Sequence, residues 1–61
     1  MNLKEKIIVV TGAASGIGRA LAIRFNQEDA KKIIAVDMNI EGAQETANLV
    51  NGEAMHADVS K

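Results

Sequence analysis

Ile7-Ile8-Val9-Val10-Thr11-Gly12-Ala13-Ala14-Ser15-Gly16-Ile17-Gly18 decides the fold of this chain. It runs from a consecutive apolar stretch through a glycine-rich turn into the helix-like segment that follows. Four β-branched residues in succession read as a strand inside a parallel sheet, with apolar contacts expected on both faces. The same short run as a piece of buried helix is disfavoured by the glycines that follow at once. A strand, a glycine turn and a helix in that order form an anion-binding device. The first N–H groups of a helix lack internal partners, and its aligned peptide dipoles favour negative charge there.

Outward from this stretch, the first strand is expected over Lys4 to Thr11 and the first helix over Gly16 to Glu28. Ile17, Leu21 and Phe25 recur at helical spacing, with Ala20, Ala22 and Ile23 widening the apolar side and Arg19, Arg24 and Gln27 left for water. Lys32 to Asp37 reads as the second strand. Asn39 is a candidate N-cap for a second helix, with Glu41 favourable in its first turn. Ile40, Ala43, Ala47 and Val50 give that helix its stripe, and Asn51-Gly52 is expected to stop it in a left-handed conformation. Glu53 to Ala57 is a weaker third strand ending at Asp58.

The order β-α-β-α-β points to an α/β fold with a parallel sheet and right-handed crossovers. With strands two and three added successively outward from strand one, both helices fall on one face and leave the other bare. Residues 1–61 are therefore expected to be the N-terminal part of one domain of a longer polypeptide, the rest of which covers that face. Self-association through the face is the competing arrangement. A chain of 61 residues without cysteine has no disulfide or zinc cluster to supplement a small core.

Composition narrows the partners. Seven basic and eight acidic residues, net charge −1, form no run suited to nucleic acid or a membrane surface. The N-terminal apolar run is too short for a signal segment or a membrane span, so a cytoplasmic location is the default expectation.

Within the turn, Gly12 suits a sharp exit from the strand. Gly16 leaves room where a pyrophosphate would approach, and Gly18 lets the helix pack closely. Ser15 offers a hydroxyl, and the N–H groups near Ser15 to Gly18 are the expected anion donors. Ile17 and Gly18 stand where a Walker loop needs glycine and lysine, and Ala14 replaces the second glycine of G-x-G-x-x-G. Asp37 ends the second strand about 20 residues beyond the turn, where a ribose-binding acid belongs. A carboxylate there repels a 2′-phosphate, and Met38 beside it supplies no positive charge, so NAD is expected rather than NADP. Asp58 and Val59, at the end of the third strand, are candidates for the adenine. Lone His56 reads as a packing or surface residue.

At Thr11-Gly-x-x-x-Gly-Ile-Gly18, Asp37 and Asp58-Val59 the chain resembles the short-chain dehydrogenase/reductase family, in its shorter single-domain form. The resemblance spans essentially the whole chain and about the first quarter of a usual member. It implies a doubly wound Rossmann domain, a dimer or tetramer when complete, that interconverts alcohols and ketones by hydride transfer with nicotinamide. It also implies that Gly12, Ser15, Gly16, Ile17 and Gly18 line the pyrophosphate and adjoining ribose. Asp37 would hold the adenosine ribose, and Asp58 with Val59 would meet the adenine. Asp29 stands where members often have glycine at the end of the first helix; aspartate tolerates the left-handed region. The family's Tyr-x-x-x-Lys has no counterpart, because the chain contains no tyrosine, and no catalytic residue is assigned. Two other classes use similar parts: a non-catalytic nucleotide-binding or assembly module, and an S-adenosylmethionine-dependent methyltransferase.

Overall fold

The computed structural model describes residues 5–57. Five elements follow in order: β1 (Ile7–Thr11), α1 (Gly16–Gln27), β2 (Lys32–Asp37), α2 (Ile40–Leu49) and β3 (Gly52–His56). The strands form one parallel sheet in the order β1-β2-β3. β2 is central, and its register places Val10 opposite Ala35, and Ala35 opposite Ala54.

One face of the sheet holds the core. Ile8, Val10, Ile33, Ala35 and Ala54 meet Ala22 and Phe25 from α1, Ala43 and Ala47 from α2, and Val50 just after it. Strand side chains alternate between faces, so Ile7, Val9, Ile34 and Met55 fall on the other side. There Ile7 is 58% exposed, Val9 61% and Met55 55%. The expectation that β1 is buried on both faces is thus met on one only. The bare face is also less uniformly apolar than expected. At its β3 end Lys32 donates to Glu53 at 3.0 Å, forming a cross-strand pair.

β1 begins at Ile7, not at Lys4, which lies outside the described residues. Glu5 and Lys6 precede the strand, and Lys6 contributes its carbonyl to the Lys31 N–H just before β2.

Of the expected stripes, Ala22, Phe25, Ala43, Ala47 and Val50 pack on the core, while the large residues at the start of each do not. In α1 the buried positions are Gly18 and Ala22, while Ile17 is 79% and Leu21 46% exposed. A Cβ on Gly18 would collide with the Gly12 carbonyl and the Ala13 backbone. The helix therefore approaches the turn more closely than the face of Ile17 and Leu21 could. In α2 the buried set is Gly42, Ala43, Thr46 and Ala47, and Ile40 is exposed.

The caps divide between expectation and correction. Asn39 caps α2 as expected, its side chain accepting the Gly42 N–H at 3.1 Å. Asp29 lies in the left-handed region at φ 63°, ending α1 in the way its side chain permits. The left-handed stop at Asn51-Gly52 does not occur. α2 ends on extended Val50, and Gly52 opens β3. A Cβ on Gly52 would press into the Ile33 carbonyl, so close approach to β2 selects glycine there.

Candidate functional site

The turn between β1 and α1 sits at the C-terminal edge of the sheet. Gly12 turns the chain at φ 67°, a conformation that suits glycine. The backbone then passes over the end of β2, where the Ala13 N–H donates to the Val36 carbonyl at 3.1 Å. The Ala14 N–H donates to Asp37 Oδ2 at 3.0 Å. Ser15 is the N-cap of α1. Its hydroxyl donates to the Gly12 carbonyl at 2.7 Å and accepts the Gly18 N–H at 3.0 Å. The Ser15 N–H also returns to the Gly12 carbonyl, at 3.0 Å.

These bonds leave a smaller donor set than the whole of Ser15 to Gly18. The Ser15 hydroxyl proton and the Ser15 and Gly18 N–H groups are engaged within the turn. Gly16 and Ile17, the first two residues of α1, keep N–H groups with no partner among the described residues. A Cβ on Gly16 would meet nothing within 4 Å, so the space beside these donors is open. Two unpaired amides at a helix start are the kind of donor pair that suits an anion.

Asp37 lies at the end of β2, half-buried. Oδ2 accepts from Ala14, and Oδ1 accepts from the Asn39 N–H at 2.9 Å. Backbone N–H groups of Asn39, Ala14 and Met38 hold its pKa below the ordinary aspartate value, outweighing the opposing effect of burial. The carboxylate is ionised at neutral pH. It lines an open cleft of about 110 Å³ with Thr11, Gly12, Val36, Met38 and Ala57. That cleft lies across the C-terminal ends of all three strands, the edge at which open α/β sheets take ligands.

Gly12, Ser15, Gly16, Ile17, Gly18 and Asp37 are thus brought together around one edge. Asp58 and Val59 lie outside the described residues; Ala57, immediately before them, borders the cleft. His56 is exposed. Among the described residues no group of three His, Cys, Asp or Glu could hold a metal. Nor is any helix among them long and apolar enough to cross a membrane.

Two residues beneath the turn escape a reading based on hydrophobic spacing. Arg19, expected to face water, donates through Nε to Thr46 Oγ1 at 2.9 Å and through Nη2 to the Gly42 carbonyl at 3.3 Å. It also pairs with Glu45 at 3.2 Å. Thr46 is fully buried, and its hydroxyl donates to the Ala13 carbonyl at 2.7 Å. A lone threonine amid small helix residues carries little signal of such a role.

Comparison with known proteins agrees with this arrangement. The family model described as short chain dehydrogenase matches residues 6–61. Dehydrogenase/reductase SDR family member 6 of Rattus norvegicus is 46% identical over 60 residues, covering 98% of this chain and 24% of that protein. Among solved structures, a hydroxysteroid dehydrogenase from Escherichia coli superposes with a TM-score of 0.86 at 28% identity, over 98% of this chain and 26% of that one. A structure titled ribose-5-phosphate isomerase from Brucella melitensis 16M superposes with a TM-score of 0.87 at 40% identity, over 95% of this chain and 22% of that one. The chain belongs to the short chain dehydrogenase family, and its five elements are the β-α-β-α-β portion of a Rossmann-type α/β fold. It spans about a quarter of the length of the proteins it matches.

Proposed function

We propose that residues 1–61 are the N-terminal, NAD-binding part of the cofactor domain of a short-chain oxidoreductase that interconverts an alcohol and a ketone. The observation that carries the reading is the pairing of two unpartnered amides, at Gly16 and Ile17, with an ionised Asp37 at one sheet edge. The residues fit a dinucleotide. An open space beside Gly16 accepts a phosphate next to backbone donors. Each Asp37 oxygen accepts one backbone N–H, so acceptor capacity remains for the two hydroxyls of a ribose. When bound, nicotinamide supplies hydride transfer; this chain's own contribution is to hold and orient the adenosine half.

Gly16 and Ile17 would donate to the pyrophosphate, and Gly12, Ser15 and Gly18 keep the turn in the shape that exposes those donors. Asp37 would accept from the adenosine ribose and repel a 2′-phosphate, which favours NAD over NADP. Asp58 and Val59 would meet the adenine. The dehydrogenase names of two matched proteins support the redox reading. Family membership supports a small-molecule substrate and a dimer or tetramer for the whole protein, and a cytoplasmic location fits the same reading. Calorimetric titration of the full chain with NAD, NADP and S-adenosylmethionine tests it. NAD is expected to bind at least about tenfold more tightly than NADP, a difference of about 1.4 kcal/mol. Preference for NADP would remove the role given to Asp37, and binding of S-adenosylmethionine alone would overturn the nicotinamide reading.

A further inference from the structure

We infer that Thr46, held in place by Arg19, is a positioning residue for the dinucleotide-binding turn, acting from beneath it through the Ala13 carbonyl. The inference rests on the function proposed above for its effect on binding, and on the hydrogen bonds alone for its effect on the turn.

Thr46 lies in the middle of α2 with no exposed surface. A threonine inside a helix ordinarily turns its hydroxyl back to the carbonyl four residues earlier, here that of Gly42. In this chain the Gly42 carbonyl receives Arg19 Nη2 instead, and the hydroxyl donates to Ala13, 33 positions away in sequence. Arg19 Nε supplies the hydrogen bond that Thr46 Oγ1 accepts, fixing the direction in which its proton points. An arginine makes both contacts at once because its donors form a planar fork; lysine offers a single point.

The consequence is a turn gripped from two sides. β2 holds Ala13 and Ala14 by their N–H groups, through the Val36 carbonyl and Asp37. α2 holds Ala13 by its carbonyl through Thr46. The same helix presses against the next residue, since a Cβ on Gly42 would stand 2.6 Å from the Ala14 methyl. Ala13 is itself fully buried, so its carbonyl has no water to turn to if Thr46 is lost. Movement of Ala13 and Ala14 carries Ser15 with it, and Ser15 caps the helix that presents Gly16 and Ile17. No other described side-chain bond joins α2 to that turn.

Thr46→Val, which keeps the shape and removes the hydroxyl, is the test, with Thr46→Ser as the conservative rescue. Two measurements on the full chain, under conditions where every variant is folded, separate the possibilities: NAD affinity by calorimetry and amide exchange by NMR. The expected result is about tenfold weaker NAD binding for Thr46→Val, with recovery in Thr46→Ser. The Ser15 and Gly18 amides, which are bonded inside the turn, should exchange at least about tenfold faster in the valine variant, while those of β2 change little. A uniform rise in exchange across the sheet, with affinity unchanged, would reduce Thr46 to ordinary core packing and overturn the inference. If wild-type protein binds no dinucleotide, the proposed function fails, and the selective exchange at Ser15 and Gly18 still decides the positioning role. Arg19→Lys covers the case in which Thr46→Val does not fold. It keeps the charge and removes the Nε donor, and it should loosen the same two amides; unchanged protection there would equally overturn the inference.

Discussion

Asp37 Oδ2 and Oδ1 accept backbone N–H groups at 3.0 Å from Ala14 and 2.9 Å from Asn39. Neutralising the carboxylate therefore disturbs the turn as well as the place proposed for the ribose. Asp37→Ala is expected to weaken NAD binding roughly ten- to a hundredfold, because charge-assisted hydrogen bonds to the ribose are lost; calorimetry on the two proteins reads this directly. The pH dependence has a fixed sign. The carboxylate's pKa is lowered by folding, so its contribution to stability is fully present above about pH 4, the unfolded value. It declines below that and is lost as the pH falls through the folded value. Urea unfolding of wild type and Asp37→Asn at stepped pH should show a stability gap that closes on acidification. Gly16→Ala separates binding from folding at a neighbouring position. Its methyl meets nothing within 4 Å, so unfolding free energy should stay within about 0.5 kcal/mol of wild type. The methyl occupies the approach to the free amides, so NAD affinity should fall about tenfold or more. Unchanged affinity would mean that no phosphate comes near Gly16.

Among the elements, α1 shows most clearly what could and could not be read in advance. The start of α1 at Gly16, the span of β2 and the Asn39 cap were all legible, because each is written in adjacent residues: a run of β-branched side chains, a glycine turn, an asparagine before a helix. The packing face of α1 was legible in part. Ala22 and Phe25 lie on the core side, and Gly18 allows the close approach that glycine suggests. Hydrophobic spacing also placed Ile17 and Leu21 there, and both are exposed. Gly52 was misplaced for a related reason, since its use depends on the Ile33 carbonyl across the sheet. In the site, Gly12 and Asp37 follow from spacing, while the engaged state of Ser15 and the support from Thr46 and Arg19 arise only from three-dimensional neighbours. Gly18→Ala tests the close approach of α1. Its Cβ would strike backbone, which cannot rotate away, so a loss of about 2–3 kcal/mol in urea unfolding is expected. A near-neutral result would show that the helix can shift outward without loss.

At the scale of the whole molecule, the sheet is covered on one side by both helices and carries exposed Ile7, Val9 and Met55 on the other. Contiguous apolar surface of this kind promotes association in water. The isolated 61-residue polypeptide is therefore expected to sediment as a concentration-dependent mixture of species, and Val9→Lys to shift it toward monomer. A single sharp monomer for wild type at every concentration would show that the bare face is tolerated in water.

The long-range bonds of the glycine turn also bear on the order in which the site comes into being during synthesis. The turn is encoded by eight consecutive residues, yet its Ala14 N–H waits for Asp37, 23 positions later, and its Ala13 carbonyl for Thr46, 33 positions later. At roughly 5–20 residues per second, a nascent chain carries the complete signature for about 1.4 to 5.6 seconds before Thr46 is even added. A ribosome-bound polypeptide halted before Thr46 therefore has the motif without its last brace. The second helix must join the fold before the first loop is finished.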